Sequence, residues 1–301
     1  MASSIRASDG DKLLSARGSR RGRWRRVPLF VWASAAFMTV VILVAVCAPL
    51  VSPYDPLQQS LRERLKSPTW FPEEGRHRFL LGTDQLGRDI LSRIIYGSRI
   101  SLIVGFAAVM IGGAIGGSLG LLSGYAGGLV DEMVMFVVDA QLAFPFILLA
   151  IGIIAVLGPS FGNLIIIVGL SGWVTYARIV RAQVLTIKER EYILAIRGLG
   201  GSMWRILANH ILPNTLAPFL VVATLELART ILLESTLSFL GLGIQPPTPS
   251  WGGMLSEGRG YLDTAWWISA FPGLILMLTA LVVSRVGDWL RDVLDPTLRG
   301  T

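Results

Sequence analysis

The chain has 301 residues, of which 52% are hydrophobic and only 16% charged, with a mean hydropathy of +0.60 and a formal net charge of +7. Soluble domains carry about a quarter charged residues, so this shortfall excludes an ordinary soluble globule and points to the bilayer. A single cysteine excludes an intrachain disulfide framework, and two histidines, His77 and His210, without ligand spacing argue against a metal site.

Residues 1–27 hold eight of the 27 basic residues, directly ahead of an apolar segment. A membrane protein marks its cytoplasmic side this way, so the positive charge does not call for nucleic acid. Their Ser, Arg and Gly content predicts a disordered cytoplasmic tail that anchors to anionic lipid. A span needs about 20 apolar residues. Six segments qualify, at roughly 29–51, 101–124, 133–157, 163–180, 215–240 and 266–286. The first exceeds a signal-peptide core of about 7–15 residues, and Cys47 within it reads as a small buried hydrophobe. With the N-terminus inside, cytoplasmic segments carry 17 Lys and Arg and external segments nine, Arg229 lying within span five. Both termini are therefore predicted to be cytoplasmic. The external stretch 52–99 opposes the rule with eight basic residues. It also holds Asp55, Glu63, Glu73, Glu74, Asp84 and Asp89, and such mixed segments translocate more readily than blocks of one sign.

Along span two, Gly112, Gly113, Gly116, Gly117, Gly120 and Gly124 give the small-x-x-x-small spacing that lets helix backbones approach closely. Pro145 and Pro218 predict kinks in spans three and five. Four ionisable residues, Asp139, Glu226, Arg229 and Glu234, fall inside predicted spans. Each costs roughly 2.5–3.5 kcal/mol near a helix centre, so each needs a partner or a wet cavity. Asp139, two turns into span three, reads either as an interfacial helix contact or as part of an inner gate. Glu226 and Arg229 are three apart near the middle of span five and can offset one another's desolvation, as a structural pair or as a pair lining a pathway. Glu234 lies towards the outer end, with water expected within reach.

The segment between spans four and five is too patterned for a connector. It runs Lys188-Glu-Arg-Glu-Tyr-Ile-Leu-Ala-Ile-Arg-Gly-Leu-Gly200-Gly-Ser-Met-Trp-Arg and then His210-Ile-Leu-Pro-Asn214. Apolar residues at 193, 194, 196 and 199 follow helical spacing, and Gly200 and Gly201 stop that helix. A second short helix is expected, then a break at Pro213, with Asn214 or Thr215 capping span five. On spacing alone, the product is a helix–turn–helix at the inner membrane face with an exposed apolar ridge, or simply an amphipathic interfacial helix.

These residues resemble the EAA signature of ABC importer permeases: a Glu-Ala-Ala, a glycine four residues on, and a Leu-Pro about twelve residues after that. Ala195, Gly200, Leu212 and Pro213 fall in register. Leu194 stands where the Glu would be and Ile196 where the second Ala would be, while Glu191 lies one turn earlier on the same face. The resemblance implies that the loop, about 188–214 and including Gly198, seats in an ATPase subunit. Three further stretches resemble the second ("C") permease subunit of dipeptide, oligopeptide and nickel importers. They are Phe79-Leu-Leu-Gly-Thr-Asp-Gln-Leu-Gly-Arg-Asp89 with Ser92-Arg93 and Tyr96-Gly97, Ser238-Phe-Leu-Gly-Leu-Gly-Ile-Gln-Pro-Pro-Thr-Pro-Ser-Trp-Gly252, and Gly287-Asp288 through Leu294-Asp295-Pro296. That family has acids at the positions of Asp139 and Glu234, and small or apolar residues at those of Glu226 and Arg229.

The resemblance implies an all-α, six-helix type I ABC importer permease fold in the bacterial cytoplasmic membrane. It implies four parts: a basic tail (1–27), a first helix with an external segment (28–100), a five-helix core (101–286) and a C-terminal tail (287–301). The implied partners are a homologous second permease, two ABC ATPase subunits or domains, an external substrate-binding protein and membrane lipid, but no nucleic acid. The residues agree on the energy source. Lys12, Lys66 and Lys188 are the only lysines and none follows a glycine, so no Gly-x-x-x-x-Gly-Lys phosphate loop exists and ATP with Mg is left to the partners. Small peptides are the expected cargo, with nickel or glutathione as alternatives. A secondary transporter, a remote alternative, needs inverted repeats or broken helices with mid-membrane ion ligands, and neither is legible.

Overall fold

A computed structural model describes residues 28–70 and 78–294; the predicted tail (1–27), Glu73, Glu74, His77, and Asp295 onward lie outside the described residues. Among the described residues the chain is helical, without a strand. It contains α1 (Leu29–Val46), α2 (Ala48–Val51), α3 (Ile90–Ala126), α4 (Gly128–Ala143), α5 (Phe146–Leu157) and α6 (Phe161–Lys188). Then follow α7 (Glu191–Gly198), α8 (Met203–Ile206), a π turn (Leu207–Ile211), α9 (Leu212–Phe239), α10 (Trp251–Gly258) and α11 (Trp267–Leu294). Among the described residues five helices are long and apolar enough to cross a bilayer: α1, α3, α6, α8–α9 taken as one, and α11. The bent pair α4–α5, counted as one crossing, makes six.

The centre is α3 against α6. A Cβ on Gly112 would lie 2.8 Å from the Gly169 carbonyl oxygen, one on Gly120 2.6 Å from that of Ala177, and one on Gly124 2.7 Å from Val184 Cβ; on Gly116 it would overlap the Trp173 carbonyl. Both series rise together, so the helices run parallel, and four glycines one turn apart are what permit backbone contact. On the other side of α3, Gly113 and Gly117 face the Phe219 ring of α9, and Gly105 faces Ile231. Val41 and Ala45 of α1, Leu102 of α3, Leu227 and Ile231 of α9 and Leu276 and Val283 of α11 close one apolar core around Trp251. Cys47 is half-buried at the break between α1 and α2, more open than expected.

Several boundaries differ from the sequence reading. α3 begins eleven residues before the predicted span, because Asp89 caps it by accepting from Ser92 N at 2.8 Å and Gly97 lets Trp251 pack on its first turns. Span three is broken rather than kinked. Phe144 is extended ahead of Pro145, α4 and α5 meet at 90°, and both helices are largely exposed, burying only Val138, Ala150 and Ile154. The kink expected at Pro145 is therefore a full break. Apolar residues flank the break, and among the described residues no group of three His, Cys, Asp or Glu could hold a cation. Pro218, by contrast, lies inside an uninterrupted α9. The expected stop at Pro213 is also absent. Leu212 N donates to Leu207 O across the wider π turn, so helix continues from Met203 through a residue that lacks an N–H. Asn214 and Thr215 do not cap. Their side chains donate back to His210 O (2.6 Å) and Leu212 O (2.9 Å). α11 runs on to Leu294, so 287–294 continue a helix instead of starting a tail.

Candidate coupling surface and intramembrane charges

α7 is closed by a paired turn. Gly201 N donates to Ile196 O and Gly200 N to Arg197 O, both at 3.0 Å, with Gly200 at φ +81°. Only glycine enters that backbone region cheaply, so the stop read at Gly200 has its physical cause here. Ile193, Ile206, Leu207 and Ile211 are buried against Val180, Val184 and Ile187 at the end of α6. Lys188 Nζ donates to Gly124 O at 2.9 Å, and Arg197 stacks over Tyr125 at 5.3 Å, tying α7 to the end of α3. The opposite face is left bare. Leu199 is 89% and Trp204 70% exposed, with Tyr192, Leu194 and Leu212 also exposed. Glu191, Ala195, Gly198, Gly200 and Pro213 lie exposed beside them. Ile196 is the exception among the named residues, half-buried against the Ile193 cluster and so part of the support rather than of the ridge.

The four membrane charges all find partners. Asp139 of α4 accepts from Arg178 Nη2 of α6 at 2.6 Å, with both side chains largely exposed. Nearby at the α7 end, Asp131 pairs with Arg181 through both carboxylate oxygens and accepts from Ser123 Oγ. Glu226 accepts from Arg229 Nη1 at 3.2 and 3.1 Å, and the two differ sharply in exposure, 7% against 49% for their side chains. Glu234 is not within reach of water as expected. It is fully buried and accepts from Ser101 Oγ (3.0 Å) on α3 and from Ser235 Oγ (3.2 Å) and Ser238 Oγ (2.8 Å) on its own helix. Hydroxyl donors from two helices replace the hydration the carboxyl loses.

Sequence reasoning missed the charge cluster at the α10 end. Asp84 Oδ2 accepts from Arg88 Nε at 2.6 Å and from Arg93 Nη1 at 2.5 Å. Glu257 of α10 accepts from Arg88 Nη2 and Arg93 Nη1, both at 2.7 Å, from Arg93 Nη2 at 3.0 Å and from Gln85 Nε2 at 3.3 Å. Asp84, Arg88 and Arg93 are buried. The charges of the Phe79–Arg93 stretch thus hold the segment before α3 onto α10, instead of facing outward. Burial works against the charged form of Glu257, but the Arg93 hydrogen bonds and the charges of Arg93 and Arg88 outweigh it and keep its carboxyl below the usual range. The signal available was an excess of Arg in 52–99; its partner lies 164 residues away.

Comparison with known proteins places this architecture. Residues 116–300 match the model of the binding-protein-dependent transport system inner membrane component, and residues 22–68 that of the N-terminal TM domain of oligopeptide transport permease C. The chain belongs to this permease family. Among relatives, the di/tripeptide transport system permease protein DppC of Pseudomonas aeruginosa is 44% identical over 87% of this chain and 86% of its own. The dipeptide permease DppC of Haemophilus influenzae is 42% identical over 87% and 89%, and the glutathione permease GsiD of Pectobacterium atrosepticum 40% over 95% and 93%. A solved chain from inward-facing conformations of the MetNI methionine ABC transporter shares the fold, with a TM-score of 0.55 and 18% identity over 68% of this chain and 98% of that one. The permease is therefore a type I ABC importer subunit in fold and family, a multi-pass membrane component of a binding-protein-dependent transport system.

Proposed function

We propose that this permease forms, with a homologous second permease, the pathway by which small peptides enter the cytoplasm, driven by ATP hydrolysed on two partner ATPase subunits. The observation that carries the coupling is the bare ridge of Leu199 and Trp204, stapled rigidly to α3 and α6 through Ile193, Lys188 and Arg197. An apolar surface on a rigid support, beyond the end of a span, fits a groove on a soluble partner. Glu191, Leu194, Ala195, Gly198, Gly200, Leu212 and Pro213 border that ridge, and the partner ATPases hold the ATP and Mg. In this reading the α7 end and both termini are cytoplasmic. Residues 1–27 form the lipid-anchored tail, 28–100 the first crossing with its external segment, 101–286 the pathway-forming core and 287–301 the cytoplasmic end. The membrane is the bacterial inner membrane, and an external binding protein delivers the cargo. Asp139 with Arg178 and Glu226 with Arg229 are the candidate gate and pathway charges; Glu234, sealed among serines, holds helices together.

Peptide as cargo is supported by the di/tripeptide and dipeptide relatives. Glutathione, the cargo in another relative's name, is itself a short peptide with free carboxylates. The test is uptake of alanyl-alanine into liposomes carrying the complete importer with external binding protein and internal ATP. Uptake that stops when this subunit is omitted is the expected result. Uptake of nickel but not of any peptide would remove the peptide reading.

A further inference from the structure

The half-exposed guanidinium of Arg229 carries an inference that rests on the peptide-importer reading and narrows it. At 1.5 Å per residue, Arg229 lies about 15 Å from the Phe239 end of α9 and about 25 Å from its Leu212 end, within the apolar depth of a bilayer. Arginine facing lipid there is among the most costly placements on insertion scales, and a snorkelling side chain would run to the nearer helix end. Arg229 instead folds back onto Glu226. Its exposed side therefore faces water or protein in the assembled importer.

The pair is built, not incidental. Glu226 is buried against α6 at a glycine: a Cβ on Gly172 would lie 3.0 Å from Glu226 Oε2 and 3.9 Å from the Tyr176 ring. The Tyr176 hydroxyl, also buried, has no hydrogen-bond partner among the described residues. Both Glu226 oxygens accept from Nη1 alone, so among the described residues Nε and Nη2 of Arg229 donate to nothing. A guanidinium anchored through one nitrogen keeps a two-donor edge, the shape that binds a carboxylate through two parallel hydrogen bonds. Because Glu226 already neutralises it, a second carboxylate binds without becoming trapped, as a transport pathway requires.

We propose that Arg229, oriented by Glu226, reads the C-terminal carboxylate of the peptide as it passes and selects substrates that carry one. The test compares uptake of alanyl-alanine with that of its C-terminal amide in the complete reconstituted importer. Each permease variant is assayed with the same binding protein, so that protein's own preference cancels. Arg229→Gln is expected to lower the ratio of acid to amide uptake at least tenfold, and Arg229→Lys to retain an intermediate ratio. An unchanged ratio overturns the assignment, whether both uptakes fall together, as a contact with the sister permease would produce, or neither falls. Wild-type importer that takes up neither compound refutes the peptide reading and the carboxylate assignment with it. A second measurement does not need the Gln variant to assemble. Arg229→Cys with Cys47→Ala, in the assembled importer, should react with a small water-soluble methanethiosulfonate, and failure to react places the residue outside the pathway and overturns the proposal.

Discussion

Removing the charge of Glu257 tests the account of the segment that leads into α3. Glu257→Gln keeps shape and one acceptor but leaves two buried guanidiniums, Arg88 and Arg93, sharing the single carboxylate of Asp84. Breaking a buried pair from one side costs about 3–5 kcal/mol. The Glu257 side chain is 19% exposed, so water relieves part of this and the lower figure, about 3 kcal/mol, is expected. At an unfolding entropy of about 2.1 cal/mol/K per residue, a chain of 301 residues shifts by roughly 1.6 °C per kcal/mol, so thermal unfolding of the purified importer should shift down by about 5 °C. Asp263→Asn, at an exposed position on the same side, should change stability by no more than about 0.5 kcal/mol. The pH dependence has a fixed sign. A carboxyl with a depressed folded pKa contributes stability that is present above its unfolded value and lost as pH falls through the folded one. The gap between wild type and Glu257→Gln should therefore hold from about pH 8 to pH 5 and close only below about pH 4. A shift no larger than that of Asp263→Asn, or a gap that already closes near pH 6, would refute the buried-clamp reasoning.

Two further perturbations test the centre and the orientation. Gly116→Ala puts a methyl on the Trp173 carbonyl and should destabilise the purified importer by about 1–3 kcal/mol, whereas Gly152→Ala, in open space, should be neutral in the same thermal assay. Gln59→Cys with Cys47→Ala should react in intact cells with an impermeant thiol reagent; reaction only after lysis would invert the topology.

The sequence made the apolar crossings, the glycine ladder and the helix–turn–helix of residues 188–214 legible because each is a local pattern whose period matches a helix. Gly200 was readable as a stop because the backbone there admits only glycine cheaply. Proline was not readable in the same way. Pro145 breaks its span by 90° where few contacts hold the chain, whereas Pro218 is carried within a helix that neighbours clamp, Phe219 lying against Tyr176, Gly113 and Gly117. Pro213 is absorbed by a π turn that no residue pattern announces. Glu234 shows the same limit: its serines at 235 and 238 are local, but Ser101 comes from α3, and burial is decided by that packing. Glu257, likewise, meets its arginines only once α10 has folded against the start of α3. What local period encodes was legible; what depends on which helices meet was not.

The most direct test of the central claim is a cross-link from the ridge. Leu199→Cys with Cys47→Ala, in the assembled importer in native membranes, should be joined by a short thiol-to-amine cross-linker to an ATPase subunit, and Gly152→Cys should not. A Leu199→Cys importer that remains active but cross-links only to the sister permease, or to nothing, would contradict the assignment of α7 and α8 as the coupling element.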